Sequence, residues 1–337
     1  MFSAVLVVGL LGALSPASPA AAAGPVTTTT LSSATNIAPG DKVTVLERSF
    51  TLAAGESRHL RARIDTTSST DAVVALTLSI TCVDASGAEV DKGRATARNH
   101  EGRNAPYKIP GRLPIYADAL LTAPAAGSYT CAMQAWTASN ATSDYHLTAV
   151  AGDTWLQSSD TDQVGAYQWT NPACDSQGTL ASCTYLGAGS DREWLFYSDG
   201  TPRHVWTARS SATAVDVAAS YTLTTCPQGT ASCQNAAIAP YQKPRGIVTV
   251  VDATLQLIQL DATGHTCHTT TVTTTGRITD GAHHYAYTQS LSSVPIRSDC
   301  GSRDFLVRVQ LDHVSGQPVK IDGQQSVALS TAIIKNR

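Results

Sequence analysis

The segment Val74–Cys82, with the sequence VALTLSITC, decides the fold class because its larger apolar residues occur at every second position. A period of two places successive side chains on opposite faces of a strand, so this pattern predicts a half-buried β-strand. The same alternation recurs at 60–64, 215–224 and 305–312. Glycine, proline, asparagine and aspartate separate these stretches at short intervals, and no long segment has the 3.6-residue period of a helix. The sequence therefore predicts an all-β protein.

Length and composition set the scale of the molecule. The chain has 337 residues, of which 42% are hydrophobic and 15% are charged, with a formal net charge of −3. These values exclude a disordered polyelectrolyte and a membrane bundle, and the charge argues against a dedicated nucleic-acid-binding protein. The length allows about two domains. Two β-sandwiches are the simplest architecture that fits.

The N-terminal residues have the pattern of a secretory signal peptide. Met1–Leu14 is an apolar run too short to span a membrane, and the small residues Ala20–Gly24 follow it. We expect a signal peptide over 1–23 and a flexible lead-in over 24–40, although the first basic residue is Lys42. A buried N-terminal helix is the alternative. No later segment is long and apolar enough for a transmembrane helix, so we expect a secreted, extracellular protein.

An internal duplication is indicated by four landmarks that occur twice in the same order. The pairs are Gly55–Arg63 with Gly200–Arg209, Thr77–Cys82 with Thr222–Cys226, Ala105–Pro110 with Ala239–Pro244, and Gly127–Cys131 with Gly264–Cys267. The first pair shares an Arg-His dipeptide, which we interpret as structural inheritance. We predict two related β-sandwich modules, at 41–150 and at 184–337. An aromatic-rich connecting segment at 151–183 joins them.

Eight cysteines in a secreted chain predict disulfides. They are Cys82, Cys131, Cys174, Cys183, Cys226, Cys233, Cys267 and Cys300. No C-x-x-C pair is present, which argues against structural zinc. Cys82 and Cys131 are the only cysteines of the first module, and we expect them to pair as a staple between two inward-facing strands.

Two pairing schemes stay open for the second module, and both contain Cys174–Cys183. Correspondence between the modules favours Cys226–Cys267, which leaves Cys233–Cys300. The similar runs 177–183 and 228–233 favour local loops instead, with Cys226–Cys233 and Cys267–Cys300.

Two short motifs carry a resemblance to known sandwich families. Ala126–Cys131, preceded by Ile80–Cys82, resembles the immunoglobulin-like sandwich, in which a tyrosine two residues before the second cysteine forms the tyrosine corner. The usual core tryptophan between the cysteines is absent, and the second module has His265 near the tyrosine position. Leu121–Tyr129 resembles the closing strands of jelly-roll carbohydrate-binding modules and pre-peptidase C-terminal modules. As a whole the chain resembles secreted bacterial tandem β-sandwich proteins. The resemblance implies a β-sandwich and assigns no functional residue.

Aromatic residues concentrate near the middle of the chain and form the candidate ligand-binding set. The set consists of Trp155, Trp169, Trp194, Trp206 and Tyr197. Exposed aromatic rings can stack on the apolar faces of sugar rings. The alternative is that these residues fill the junction between the modules, since large aromatic side chains are mostly buried.

Sequence motifs for catalysis are absent: there is no G-x-S-x-G, no H-E-x-x-H and no phosphate-binding glycine loop. The histidine pairs His265/His268 and His283/His284 point to opposite strand faces, so we predict no catalytic, metal or cofactor site. The sequence favours a secreted non-catalytic binding protein whose ligand is an extracellular or cell-envelope glycan or a protein partner. A secreted hydrolase with a site at the module junction, where Asp and His side chains converge, is the alternative, and a purely structural surface protein is a third.

Overall fold

The computed structural model describes residues 26–139, 142–161, 166–168, 185–196, 205–230, 233, 236–279, 283–322 and 331–337. The predicted signal peptide at 1–23 lies outside these residues. Within them, the helical elements with described bounds are the single 3-10 turns at Ala239–Tyr241 and Ser298–Cys300. The described part of the chain has no helix of the length and apolarity needed to cross a membrane. The all-β fold class predicted from the sequence is confirmed.

Ten strands belong to the first half of the chain. They are β1 (Thr27–Thr30), β2 (Thr35–Ile37), β3 (Val43–Leu52), β4 (Ser57–Ser68), β5 (Val74–Asp84), β6 (Glu89–His100), β7 (Leu113–Thr122), β8 (Gly127–Ala138), β9 (Leu147–Ala149) and β10 (Trp155–Thr161). One sheet has the order β1-β10-β4-β9-β2, with β7 on the other side of β4. The facing sheet has the order β3-β8-β5-β6. The described ladders are antiparallel, and consecutive strands often change sheets, as in jelly-roll sandwiches.

The second half of the chain contains eleven described strands. They are β11 (Ala166–Gln168), β12 (Tyr185–Leu186), β13 (Arg192–Phe196), β14 (Trp206–Thr207), β15 (Ala214–Thr225), β16 (Thr249–Leu260), β17 (Thr266–Ile278), β18 (His284–Pro295), β19 (Asp304–Ser315), β20 (Val319–Ile321) and β21 (Thr331–Asn336). One sheet has the order β11-β21-β15-β20-β12, with β18 on the other side of β15. The facing sheet has the order β13-β19-β16-β17, and β14 also pairs with β19.

The two halves have the same strand order. In the first pair of sheets, β4 matches β15, and its partners β7, β9 and β10 match β18, β20 and β21. In the second pair, the order β3-β8-β5-β6 matches the order β13-β19-β16-β17, with β14 beside β13 on β19. The sequence landmarks do not follow this match. Thr77–Cys82 lies on β5, whose counterpart is β16, whereas Thr222–Cys226 lies at the end of β15, the counterpart of β4. A common origin of the halves stays a prediction, and it is the topology that supports it.

Each half has its own hydrophobic core between its two sheets. In the first half, Leu60, Ile64 and Leu78 are among the fully buried residues of a single cluster. In the second half, Leu255 and Val309 belong to a separate cluster. The inward rows are apolar because alternate residues of each strand face the opposite sheet. Each half therefore has the organisation of a sandwich with its own interior.

The strands of the first sandwich extend beyond the boundaries expected from composition. The expected lead-in 24–40 contains β1 and β2, which pair with β10 and β9, so its described residues from Val26 onward include two strands of the first sandwich rather than a flexible linker. Residues 155–161 form β10, which pairs along β4, rather than a connecting segment. Threonine-rich and polar stretches fit here because an outer strand needs only backbone hydrogen bonds and one inward row.

Three disulfides lie in the described part of the chain. Cys82–Cys131 is present as predicted, but the two residues are direct neighbours on β5 and β8, so the bond lies within one sheet rather than between two sheets. Cys226–Cys233 and Cys267–Cys300 follow the local scheme, and the pairing by correspondence is wrong. Cys174 and Cys183 lie outside the described residues. Disulfides of this kind are typical of proteins made for an oxidising compartment.

Tyr129 makes the contact expected of a tyrosine corner. Its hydroxyl donates a hydrogen bond to the carbonyl oxygen of Ala125 at 2.5 Å, four residues upstream, and the residue is buried. Cys131 follows two residues later on β8. The local motif is therefore the one seen in immunoglobulin-like sandwiches, although the strand order is closer to a jelly roll.

The two sandwiches are in contact through unlike surfaces. Strands β6 and β7 of the first half meet β15, β18 and β21 of the second. Asn99 accepts a hydrogen bond from the backbone N–H of His284 at 2.7 Å, and Thr279 donates one to Glu101 at 2.6 Å. The junction is therefore polar and specific, and one side of it opens into a cleft.

Candidate functional site

The cleft at the junction of the two sandwiches is the candidate site, with a cavity of about 160 Å³. Strands β4 and β10 form one wall, and β15, β18 and β21 form the other. The charged and polar side chains that line it include those of His59, Arg61, Gln157, Asp216, Lys335 and Arg337. Both halves therefore contribute to one concave surface, which is where ligand sites are commonly found.

The strand register explains why the polar side chains of the first wall point into the cleft. Leu60, Ala62 and Ile64 of β4 face the core, so the residues between them face outward. The outward residues form rows across β10, β4 and β7, because residues directly opposite on paired strands share a face. The three rows are Trp155–Arg63–Tyr116, Gln157–Arg61–Asp118 and Ser159–His59–Leu120.

A buried network lies at the base of the cleft. His59 Nε2 is 2.8 Å from Asp118 Oδ1, and Lys335 Nζ is 3.3 Å from His59 Nδ1. Lys335 also donates to Ser159 Oγ at 3.2 Å, and Ser220 Oγ reaches Asp118 Oδ2 at 3.4 Å. One ring nitrogen of His59 thus faces the Asp118 carboxylate, and the other faces the Lys335 ammonium. The network therefore links the two halves at three residues of the first sandwich, His59, Asp118 and Ser159.

The charges of this network are shifted by their surroundings. Burial by itself would raise the pKa of Asp118, but the hydrogen bond from His59 and the positive charge of Arg61 outweigh it, and the pKa lies below its ordinary value. Burial lowers the pKa of Lys335, and the charge of Asp216 opposes this only in part. Asp118 therefore stays ionised, whereas the charged form of Lys335 is disfavoured by desolvation.

An aromatic row lies beside the cleft on the same sheet face. The rings of Tyr116 and Trp155 meet edge to face with centroids 6.2 Å apart, and both residues are half-buried. The guanidinium of Arg61 lies over the Tyr116 ring at 5.4 Å from its centroid. Arg63 occupies the position between Trp155 and Tyr116 in this row, and its Nη2 forms an ion pair with Asp65 Oδ2 at 2.7 Å. Aromatic and cationic groups thus border the cleft opening in consecutive rows.

The second wall contains an irregularity at the cleft. The register of β15 and β18 shifts so that Asp216 lies opposite Ser292 and Ser293, which is a β-bulge. Ser293 has a positive φ of 53°, and its N–H donates to Asp216 Oδ1 at 2.7 Å. The other oxygen of Asp216 accepts from Arg337 at 2.6 Å. The bulge therefore lets Ser292 and Asp216 line the same cavity.

The aromatic residues predicted from the sequence have different positions. Trp155 belongs to the outer row beside the cleft. Trp206 is buried in the second core, where its ring lies 6.0 Å from that of Phe305, so it presents no exposed face. Trp194 lies on β13 opposite Gln310, and its side chain is not among those described. Trp169 and Tyr197 lie outside the described residues. The structure thus brings one member of the predicted set to the cleft.

No cluster of three or more His, Cys, Asp or Glu side chains that could hold a metal ion occurs among the residues described. The rings of His283 and His284 are 4.1 Å apart at a separate position on the junction. Burial lowers the pKa of His284 to about 4, and Lys320 adds to this shift. Burial and the neighbouring His284 lower the pKa of His283 to about 3. Both imidazoles are therefore neutral at physiological pH.

Sequence reasoning did not find His59, Arg61, Asp118, Ser159 and Lys335. A signal for part of this set was present, because His59, Arg61 and Arg63 alternate with the apolar core row of β4. A row of charges on a strand indicates an outer face. It does not reveal which other strand covers that face, and β21 lies far away in the sequence.

Comparisons with known proteins give no family. No family model matches the chain, and no curated protein matches its sequence. Among solved structures, the tandem CBM22-1–CBM22-2 domain of Paenibacillus barcinonensis Xyn10C is 10% identical, with a TM-score of 0.23, over 95% of this chain and 100% of that chain. The exported protein XepA of PBSX is 8% identical, with a TM-score of 0.18, over 92% of this chain and 86% of that chain. These values are too low to support an inference about function.

Proposed function

We propose that this protein is a secreted, non-catalytic binding protein that holds an extracellular or cell-envelope glycan in the junction cleft. The observation that carries the proposal is the arrangement of rows on the outer face of β10, β4 and β7. An aromatic row containing Trp155 and Tyr116 lies directly beside a polar row that lines the cleft. Carbohydrate ligands need both surfaces, because each sugar ring has apolar faces and polar edges.

The polar lining suits the edges of a sugar. Gln157, Ser290 and Ser292 line the cavity with side chains that can both donate and accept hydrogen bonds. The cavity of about 160 Å³ is close to the size of an engineered cavity that accommodates one benzene ring. One sugar unit in the cleft and a neighbouring unit on the aromatic row is the arrangement that we propose. The disulfides and the signal-peptide pattern support an extracellular setting.

The first test is a glycan array with the mature, oxidised protein, followed by titration of the best-bound glycan. Trp155→Ala removes the stacking surface, and we expect binding to weaken ~10-fold, which corresponds to the ~1.5 kcal/mol of an aromatic contact. Trp136→Ala is the matched control, because Trp136 is also half-buried but lies on β8, in the other sheet. Equal losses in the two variants would contradict the placement of the site. If no glycan binds, a protein partner or a purely structural role becomes the better proposal.

Hydrolysis is the second candidate, and one contact favours it. Ser159 Oγ lies 3.2 Å from Nζ of Lys335, whose pKa is lowered by burial. A neutral lysine at this distance can accept the hydroxyl proton while the serine oxygen attacks an ester carbonyl. Ser159→Ala should then abolish hydrolysis of acetylated sugars and leave glycan binding intact. Undetectable turnover by the wild-type protein on these esters would remove this candidate.

A further inference from the structure

We infer that the junction cleft binds the carboxylate of an acidic sugar, held between Arg61 of the first sandwich and Lys335 of the second. The inference rests on the proposed function and specifies the chemical class of the glycan. It follows from the balance of charges in the cleft.

Arg61 has a guanidinium without a hydrogen-bond acceptor among the residues that the structure describes. Its nearest carboxylate is Asp118, at 3.9 Å from Nε, which is beyond hydrogen-bond distance. The oxygens of Asp118 are already engaged by His59 and Ser220. The Tyr116 ring supports the guanidinium from one side. The N–H groups of Arg61 are therefore available to a ligand.

Lys335 is in a comparable state on the opposite wall. Its ammonium contacts His59 Nδ1 and Ser159 Oγ, neither of which belongs to a carboxylate. Within the described part of the chain, no carboxylate lies within 4.0 Å of it. A half-buried ammonium without a negative partner is costly, and burial indeed lowers the pKa of this group. An anion beside Nζ would compensate the charge.

The remaining charges of the cleft already have partners. Arg337 donates to Asp216 at 2.6 Å, and Arg63, beside the cleft, contacts Asp65 at 2.7 Å. Arg61 thus has only a long ion pair with Asp118, Lys335 has no carboxylate within 4.0 Å in the described chain, and the oxygens of Asp118 and Asp216 are already hydrogen-bonded. A planar carboxylate matches the fork of a guanidinium and accepts from an ammonium at the same time. With the aromatic row alongside, a sugar that carries the carboxylate fits the site better than an isolated anion.

Calorimetric titration of the full-length, oxidised protein tests this with three probes: trigalacturonate, its fully methyl-esterified form, and inorganic sulfate. The ester has the same rings and hydroxyls but no charge. We expect the free acid to bind ~10-fold or more tightly than the ester, since a hydrogen bond between charged groups is worth more than a neutral one. Sulfate should not compete at the same concentration.

Lys335→Met and Arg61→Met should each weaken binding of the free acid ~10-fold relative to the ester, so that most of the preference for the acid is lost. Arg103→Met is the matched control, because Arg103 pairs with Asp71 on the exposed surface. The comparison of acid with ester uses the wild-type protein, so it stands even if a variant folds poorly. Equal affinity for acid and ester, or displacement by sulfate, would overturn the carboxylate assignment and leave the glycan proposal intact. Preferential binding of a neutral glycan would likewise overturn the carboxylate assignment and leave the glycan proposal intact. Absence of all sugar binding would overturn the proposed function itself.

Discussion

At the scale of single residues, the junction contains histidines whose protonation opposes folding. His284 Nδ1 is hydrogen-bonded to Thr224 Oγ1 at 2.7 Å. The titratable groups around it are those of His283, Lys320 and Asp322. The pKa of His284 is lowered to about 4, mainly by burial. Because its pKa in the folded state lies below the unfolded value of about 6.5, the unfolded chain takes up protons first as the pH falls. Stability from His284 is therefore present above pH ~6.5 and is lost as the pH falls toward 4.

We predict that His284→Gln weakens the dependence of the free energy of unfolding on pH. A shift from about 6.5 to about 4 corresponds to ~3 kcal/mol of the free energy of unfolding, lost between these pH values in the wild type. Urea unfolding at pH 7 and pH 4.5 measures this loss of the free energy of unfolding. His146→Gln, at an exposed position, is the control and should keep the wild-type slope. Parallel slopes for all three proteins would show that His284 is not the titrating group.

At the scale of elements, the two described disulfides of the second sandwich differ in the loops that they close. Cys267–Cys300 joins residues 33 positions apart, and Cys226–Cys233 joins residues 7 apart. On the chain-entropy account, the longer loop contributes ~4 kcal/mol and the shorter one ~2 kcal/mol. We expect alanine replacement of both cysteines of the longer loop to lower the free energy of unfolding by the larger amount. Urea unfolding of the two double variants compares them, and the reverse order would contradict the loop-length argument.

The elements also show what the sequence can reveal. The alternation at Val74–Cys82 predicted β5 because one face of that strand is core and the other is polar. Thr27–Thr30 has no such contrast, since β1 lies at a sheet edge with mostly exposed residues, and composition alone suggested a linker. The Cys82–Cys131 pair could be found by elimination within its module, but whether it joined one sheet or two depended on the register of β5 and β8.

At the scale of the whole molecule, the polar junction couples two separate cores. Asp118 is buried, and its carboxylate is hydrogen-bonded to His59 of its own sandwich and to Ser220 of the other. Asp118→Ala leaves these donors without an acceptor, and breaking a buried charge pair costs ~3 kcal/mol. We therefore predict one calorimetric unfolding transition for the wild type and two transitions for this variant.

Asp71→Ala is the control for the junction experiment, because it removes an exposed ion pair with Arg103. Such a pair is worth at most ~1 kcal/mol, so one transition near the wild-type temperature is expected. Two transitions in the wild type itself would show that the junction does not couple the sandwiches.

The cleft shows the limit of sequence reasoning at this scale. Trp155 could be selected as an aromatic residue in a polar context, and it does lie beside the cleft. Lys335 could not be assigned to His59, because the contact requires both sandwiches to fold and then to meet at one orientation. Periodicity describes single strands, and it carries no information about which outer faces are brought together.

The use of unlike surfaces at the junction has a consequence for symmetry. A contact between two different surfaces is heterologous, and unlike a two-fold contact it closes only when its repetition completes a ring. The counterpart of β6 is β17, the edge strand whose outer row of threonines is exposed. A repeat of the same contact would also need β18, the counterpart of β7, and β18 already contacts β6 in this junction. A third module could therefore not be seated in the same way without sharing β18 between two contacts.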